Sequence, residues 1–215
     1  RVYLVLDHSA SMGYSPGKKT KLDYACRLAA ALAYIVVKSR DSVGLHLYSN
    51  ELNASFPAKH SFRHLNDMMD QLQKATPSSQ TQTAPVLHRI ADSIRRRALV
   101  VIISDLIDEP DEIIKALSHF RKVQHDVILF QTLDPAELDF SLRDAAEFED
   151  METGERIYTD PKDIAEAYNR TFGEFLNKYR RACNEMHIDY RLVNTGTPLQ
   201  TFLRAYLKGR NPHIA

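Results

Sequence analysis

The sequence predicts an α/β fold built around a mostly parallel sheet, and three observations carry that expectation. Continuous apolar runs at 2–6, 99–103 and 127–130 have the composition of strands buried on both faces. Longer segments of helical period separate them, the alternation expected of strand–helix–strand units. One region differs. Val43, Leu45 and Leu47 alternate with Gly44, His46 and Tyr48, and after Ser49-Asn50 the residues Leu52, Ala54 and Phe56 alternate again, which predicts an antiparallel hairpin.

Along the chain, Leu22, Cys26, Ala29, Ala33 and Val37 recur at three- and four-residue steps and predict the first long helix. Further helices are expected at about 61–74, 84–96, 110–122, 161–186 and 198–208, and Ile188, Tyr190 and Leu192 suggest a last strand. Asp160-Pro161-Lys162-Asp163 reads as a helix start, with a cap residue, Pro in the first turn and an acid at the positive end. Gly209 is read as the stop of the final helix. The segment 145–158, around Glu152-Thr153-Gly154-Glu155, reads as a small surface hairpin inserted into a single domain spanning 1–215. The chain starts on Arg1 inside an apolar run, which suggests a piece of a longer protein.

Composition excludes several classes of function. The 215 residues carry 28 Lys+Arg against 28 Asp+Glu, so the basic excess usual in a nucleic-acid-binding domain is missing. With 44% apolar and 26% charged residues the chain is an ordinary globular one. No apolar run approaches the roughly 18 residues of a membrane span. Cys26 and Cys183 sit in apolar helical patterns and read as buried free thiols, which fits a reducing, cytoplasmic location.

The chemistry concentrates directly after the first strand, in Asp7-His8-Ser9-Ala10-Ser11-Met12-Gly13. Loops at the carboxyl ends of strands form the ligand crevice of a doubly wound sheet. A carboxylate followed by hydroxyls at alternate positions places three oxygen donors on one side of an extended loop. All-oxygen, weakly charged donor sets suit Mg²⁺ or Mn²⁺ rather than Zn²⁺. A second group, Ser104-Asp105-Leu106, ends another buried run, and Asp105 would adjoin Asp7 if the two strands are neighbours. A further oxygen could come from the loop at 78–83, Ser78-Ser79-Gln80-Thr81-Gln82-Thr83.

Together, Asp7-x-Ser9-x-Ser11, a loop Thr and Asp105 resemble the metal-ion-dependent adhesion site of von Willebrand factor A (vWA) domains. The resemblance implies a doubly wound, mostly parallel six-stranded sheet with one antiparallel edge strand and helices on both faces. It also implies that Ser9, Ser11 and Thr81 bind Mg²⁺ or Mn²⁺ through hydroxyls while Asp7 and Asp105 act mostly through water. Thr83, before Ala84-Pro85, reads instead as a helix cap. Over nearly the whole length, Lys21-Leu22-Asp23-Tyr24-Ala25, the stretch 95–103 with Ser104-Asp105-Leu106, Leu133-Asp134-Pro135-Ala136-Glu137-Leu138 and Ile188-Asp189-Tyr190 resemble the bacterial family called domain of unknown function 58 (DUF58). That resemblance implies a MoxR-type AAA+ ATPase as a partner. The loop departs from the family pattern, with Gln82 where an acid usually follows the Thr.

Other residues have plainer readings. Asp108, Glu109, Asp111 and Glu112 charge the start of a helix, and Arg95-Arg96-Arg97 complement a helix end. His8 is expected to point away from the ligand face, and Tyr168, Phe172, Phe175 and Tyr179 to pack at helical spacing. Three functions follow: a metal-dependent module in which a partner's Asp or Glu completes the coordination; a structural vWA-like scaffold with a degenerate site; and a Mg²⁺-dependent phosphohydrolase. No Walker loop, Gly-x-Ser-x-Gly elbow or obviously placed Lys or His favours the enzyme. The docking rim is expected to carry His8, Met12, Tyr14, Gln82 and Leu106.

Overall fold

A computed structural model describes residues 1–17, 19–78, 82–138, 146–149, 156–159 and 161–210. In chain order they form β1 (Val2–Asp7), α1 (Lys21–Lys38), β2 (Val43–Tyr48), β3 (Leu52–Lys59), α2 (Phe62–Lys74), α3 (Thr83–Ser93), β4 (Leu99–Ser104), α4 (Pro110–Lys122) and β5 (Asp126–Leu133). There follow α5 (Pro135–Leu138), β6 (Ala146–Glu149), β7 (Arg156–Thr159), α6 (Pro161–Glu185), β8 (Asp189–Asn194) and α7 (Leu199–Arg210).

Six strands make the main sheet in the order β3-β2-β1-β4-β5-β8, and only β3 is antiparallel. The β1–β2 step runs toward one edge and the return to β4 crosses to the other side of β1. The strand order therefore reverses between β1 and β4, where Leu6 lies beside Ile103. That reversal opens a crevice at the carboxyl ends of the strands. β6 and β7 pair antiparallel in a separate two-stranded sheet.

Each face of the main sheet has its own core. Leu4, Leu6, Val101, Ile103 and Phe130 pack with α1, α2 and α7, whereas Val5, Val100, Ile102 and Leu129 pack with α3, α4 and α6. Lys59, at the end of the edge strand β3, is exposed, and β3 keeps the alternation of half-buried and exposed residues that its sequence shows. β2 does not: all six of its residues are buried, because it lies between β1 and β3 with helices over both faces. The alternation of Gly44, His46 and Tyr48 thus marks a second buried face rather than a solvent face.

Two helix ends differ from expectation. α3 stops at Ser93, so 95–97 lie in the connection to β4, and Arg97 pairs with Asp126 at 3.0 Å. α7 continues through Gly209 to Arg210, so Gly209 lies within the helix and does not stop it. Asp160 and the turn between β6 and β7 lie outside the described residues. Tyr168, Phe172, Phe175 and Tyr179 form a continuous chain of ring contacts along α6, with centroids 5.1–5.5 Å apart and Tyr179 fully buried.

Candidate functional site

Parallel pairing of β1 with β4 brings the two sequence motifs together at the switch point. Asp7 is 1% exposed, and both of its carboxylate oxygens are engaged: Oδ1 accepts the Ser9 N–H at 2.9 Å and Oδ2 accepts the Ser104 hydroxyl at 2.6 Å. The first bond folds the chain back so that Ser9 Oγ and Ser11 Oγ lie 3.1 Å apart. Burial, with the Asp105 charge beside it, pushes the Asp7 carboxyl up to about 6. Asp7, Ser9, Ser11 and Asp105 therefore share one buried centre. Thr81 lies outside the described residues.

Asp105 is held on every side. Its backbone carbonyl accepts from Gln131 Nε2 at 3.0 Å, and Gln131 Oε1 in turn accepts from the Tyr190 hydroxyl at 2.8 Å. Its Oδ1 takes the Ile107 N–H at 3.3 Å. Leu106 turns the chain at φ 57°, a left-handed conformation costly for a branched side chain, and is locked there by Tyr179 bonding its carbonyl. Oδ2 of Asp105 accepts from Lys21 Nζ at 2.7 Å, and the same ammonium reaches Glu137 Oε1 at 2.6 Å.

Lys21 and Glu137 were not assigned a role from the sequence. Lys21 is the first residue of α1 and is completely buried, a side chain normally found in solvent. Burial works against its charge, but Asp105 and Glu137 outweigh it and raise its pKa. The signal was present. Lys21 falls on the helix face of Ala25 and Leu28, both fully buried, and a cation at the positive end of a helix demands a compensating acid. The sequence offers no Lys or His placed as a catalytic acid or base, and Lys21 enters the centre instead as the partner of two carboxylates. The amine has no exposure and no free side from which to reach a substrate.

The capping assignment of Thr83 is also corrected. Thr83 is the first residue of α3 and is buried, and its own N–H is taken by Asp108 Oδ2 at 3.1 Å. Asp108 thus secures the start of α3 from the β4–α4 connection, alongside its hydrogen bond to the Glu109 N–H at 2.7 Å. His8 points away from the hydroxyls, its ring nitrogens meeting the Thr76 carbonyl at 3.0 Å and the Asn53 side chain at 2.9 Å.

The rim has a different composition from the one expected. Met12 and Leu106 are fully buried and belong to the two cores, because the short helical turn 10–13 rolls Met12 inward and the left-handed turn does the same to Leu106. Ile107 is the large apolar side chain that is exposed there, and Tyr14 is half-buried, its ring 5.7 Å from Lys21 Nζ. Beside Tyr14 opens a groove of about 950 Å³ between the loops after β1, β5 and β8, lined among others by Pro16, Lys19, Arg27, Pro135 and Pro198. Lys19 and Arg27 are exposed there, whereas the groove's Asp134 is committed to the Ala136 N–H and the Thr195 hydroxyl.

The donor set suits a hard divalent cation. It offers two adjacent hydroxyls and the carboxylates of Asp7 and Asp105, and the two acids that face the Lys21 ammonium, Asp105 and Glu137, outnumber it. Two buried hydroxyls nearby lack regular hydrogen bonds: that of Tyr48, close to Asp7 and Ser104, and that of Ser78, whose backbone pairs with the Ser9 segment. Among the described residues no three His, Cys, Asp or Glu side chains cluster as a metal site.

A mostly parallel six-stranded sheet with one antiparallel edge, helices on both faces and an Asp-x-Ser-x-Ser loop at the switch point define a vWA-like domain. The chain belongs to the family described as "Protein of unknown function DUF58", whose profile matches residues 1–174. No curated protein matches it. Among solved structures, an aerotolerance-related membrane protein from Bacteroides fragilis, carrying multiple mutations to serine, superposes with a TM-score of 0.61 at 16% identity, covering 98% of each chain. BatB from Bacteroides thetaiotaomicron superposes with a TM-score of 0.55 at 14% identity, over 96% of this chain and 97% of that one. The vWF domain of the type V pili tip protein Mfa5 from Porphyromonas gingivalis matches more loosely, with a TM-score of 0.45 at 13% identity over 100% of this chain and 95% of that one. Among the described residues no helix is long and apolar enough to cross a membrane.

Proposed function

We propose that this domain is a protein-interaction module whose docking point is a Mg²⁺ or Mn²⁺ ion held at Asp7, Ser9, Ser11 and Asp105, with Thr81 as the loop donor. The observation that carries this reading is the hydrogen-bonded Asp7–Ser9–Ser11 turn set beside Asp105 at the sheet's switch point. Ser9 and Ser11 would hold the ion directly, and Asp7 and Asp105, already engaged by protein donors, would act through water. When bound, the ion supplies a Lewis-acid anchor for a carboxylate. Its direct protein donors would be uncharged hydroxyls, so an Asp or Glu from the partner would complete the coordination. The adjoining groove supports an acidic partner, because its exposed charges are Lys19 and Arg27.

The geometry speaks against the hydrolase reading. Both Asp7 oxygens accept protein hydrogen bonds that hold the group in place, and Lys21, the lysine at the centre among the described residues, is buried between two acids. The proposed partner is a MoxR-type AAA+ ATPase, on family resemblance. Burial pushes the Cys26 and Cys183 thiols up to about 12, and both cysteines are free, which fits the reducing cytoplasmic location we assign. The test is a binding titration of the purified pair in Mg²⁺ and in EDTA. Chelation should weaken the complex at least about tenfold, roughly 1.4 kcal/mol, and Ser11→Ala should do the same. Tight binding that ignores both changes would place the interface elsewhere.

A further inference from the structure

Lys21 is at the worst place in α1 for a cation, the first turn, where the helix dipole is positive. It is also wholly removed from water, which is unfavourable unless the charge is paired. What keeps it there is the pair of short contacts to Asp105 and Glu137, closed over by the Tyr14 ring. Asp105 is thus claimed by a cation belonging to the protein itself. Any divalent ion drawing on Asp105, even through water, shares that carboxylate with an ammonium 2.7 Å away.

Resting on the metal-site reading above, we infer that Lys21 is a resident counter-ion of the centre. It neutralises Asp105 when the metal is absent, so the metal-free centre keeps its shape. It opposes the metal when one enters, so the ion binds weakly until a partner carboxylate adds its charge. Glu137 is the second seat of the ammonium. Its other oxygen accepts the Asp134 N–H at 2.7 Å, which ties the centre to the 134–138 turn that lines the groove. Loading of the ion is therefore coupled, through Lys21 and Glu137, to the wall against which a partner would lie.

The experiment is a calorimetric MgCl₂ titration at pH 8 of wild type, Lys21→Met, Lys21→Gln and Lys21→Arg, with thermal melts in EDTA. Both neutral variants should bind Mg²⁺ at least tenfold more tightly than wild type, and Lys21→Arg should stay within about threefold of it. Without metal the neutral variants should melt at least about 5 °C lower, and Mg²⁺ should recover more of that loss than it adds to wild type. Equal or weaker Mg²⁺ affinity in the neutral variants overturns the counter-ion role and leaves the metal site standing. Binding by Lys21→Gln but not by wild type supports the role and refutes a metal-dependent wild-type module. Binding by neither refutes both. Glu137→Gln, isosteric and so expected to fold even where the Lys21 variants do not, should weaken Mg²⁺ several-fold. Tightening there would overturn the inference.

Discussion

Asp7 and His46 respond to burial in opposite directions, the carboxyl rising to about 6 and the imidazole falling to about 4. The native Asp7 carboxyl holds its proton below about 6, the unfolded one only below 3.8. Across that window the folded protein binds more protons, so this group adds stability as pH falls, up to about 3 kcal/mol. His46, between Tyr3 and the β3 side of the sheet, has neither ring nitrogen bonded, and burial depresses it to about 4. The unfolded imidazole takes up its proton below 6.5, so this group removes a similar amount as pH falls. In metal-free buffer, His46→Leu should therefore lose less stability than wild type between pH 7 and pH 4.5, and Asp7→Asn should lose more, each by about 2 kcal/mol in urea unfolding. Parallel profiles for all three would refute both assignments. At this scale the oxygen ligands were legible, because Asp-x-Ser-x-Ser after an apolar run is a local pattern. Lys21 and Glu137 were not, because their partnership spans 116 positions of sequence and depends on which way α1 rolls.

Strands and helices were readable wherever their neighbours only reinforced the local pattern. The stretches 2–6, 99–103 and 127–130 of β1, β4 and β5 are apolar because helices cover both faces of the sheet, and that is visible in a window of four or five residues. β2 misleads because Gly44 and His46 look like a wet face, yet Gly44 is there for clearance. A Cβ at Gly44 would come within 2.7 Å of the Phe56 carbonyl and of the Tyr3 ring. Gly44→Ala should therefore cost about 1–3 kcal/mol in denaturant unfolding, with the β2–β3 bulge as the site of damage. An unchanged midpoint would mean the strands have room to part. The start of α3 shows the reverse case. Sequence supplies Thr83 as a local cap, but the cap comes from Asp108, 25 residues on. Asp108→Ala should cost about 1 kcal/mol, and Thr83→Ser should keep the backbone hydrogen bond and change little.

At the scale of the molecule, the strand order could be anticipated because parallel strands joined by helices have few allowed arrangements. The reversal between β1 and β4 is what turns two separate motifs into one centre. The rim could not be anticipated in the same way. Whether Met12 or Ile107 faces solvent depends on a helical turn and one left-handed residue, the latter locked by Tyr179 from 73 positions away. The groove is built from loops after three strands that are far apart in sequence. Everything in the functional reading rests on a cation at the Asp7–Ser9–Ser11 turn. The most direct measurement is a calorimetric titration of Mg²⁺ and Mn²⁺ into wild type and Ser9→Ala, with circular dichroism confirming that both are folded. The expected result is weak, saturable binding in wild type that falls at least tenfold in the folded Ser9→Ala protein. Equal affinity in the two proteins, or no binding to wild type at millimolar metal, would contradict it.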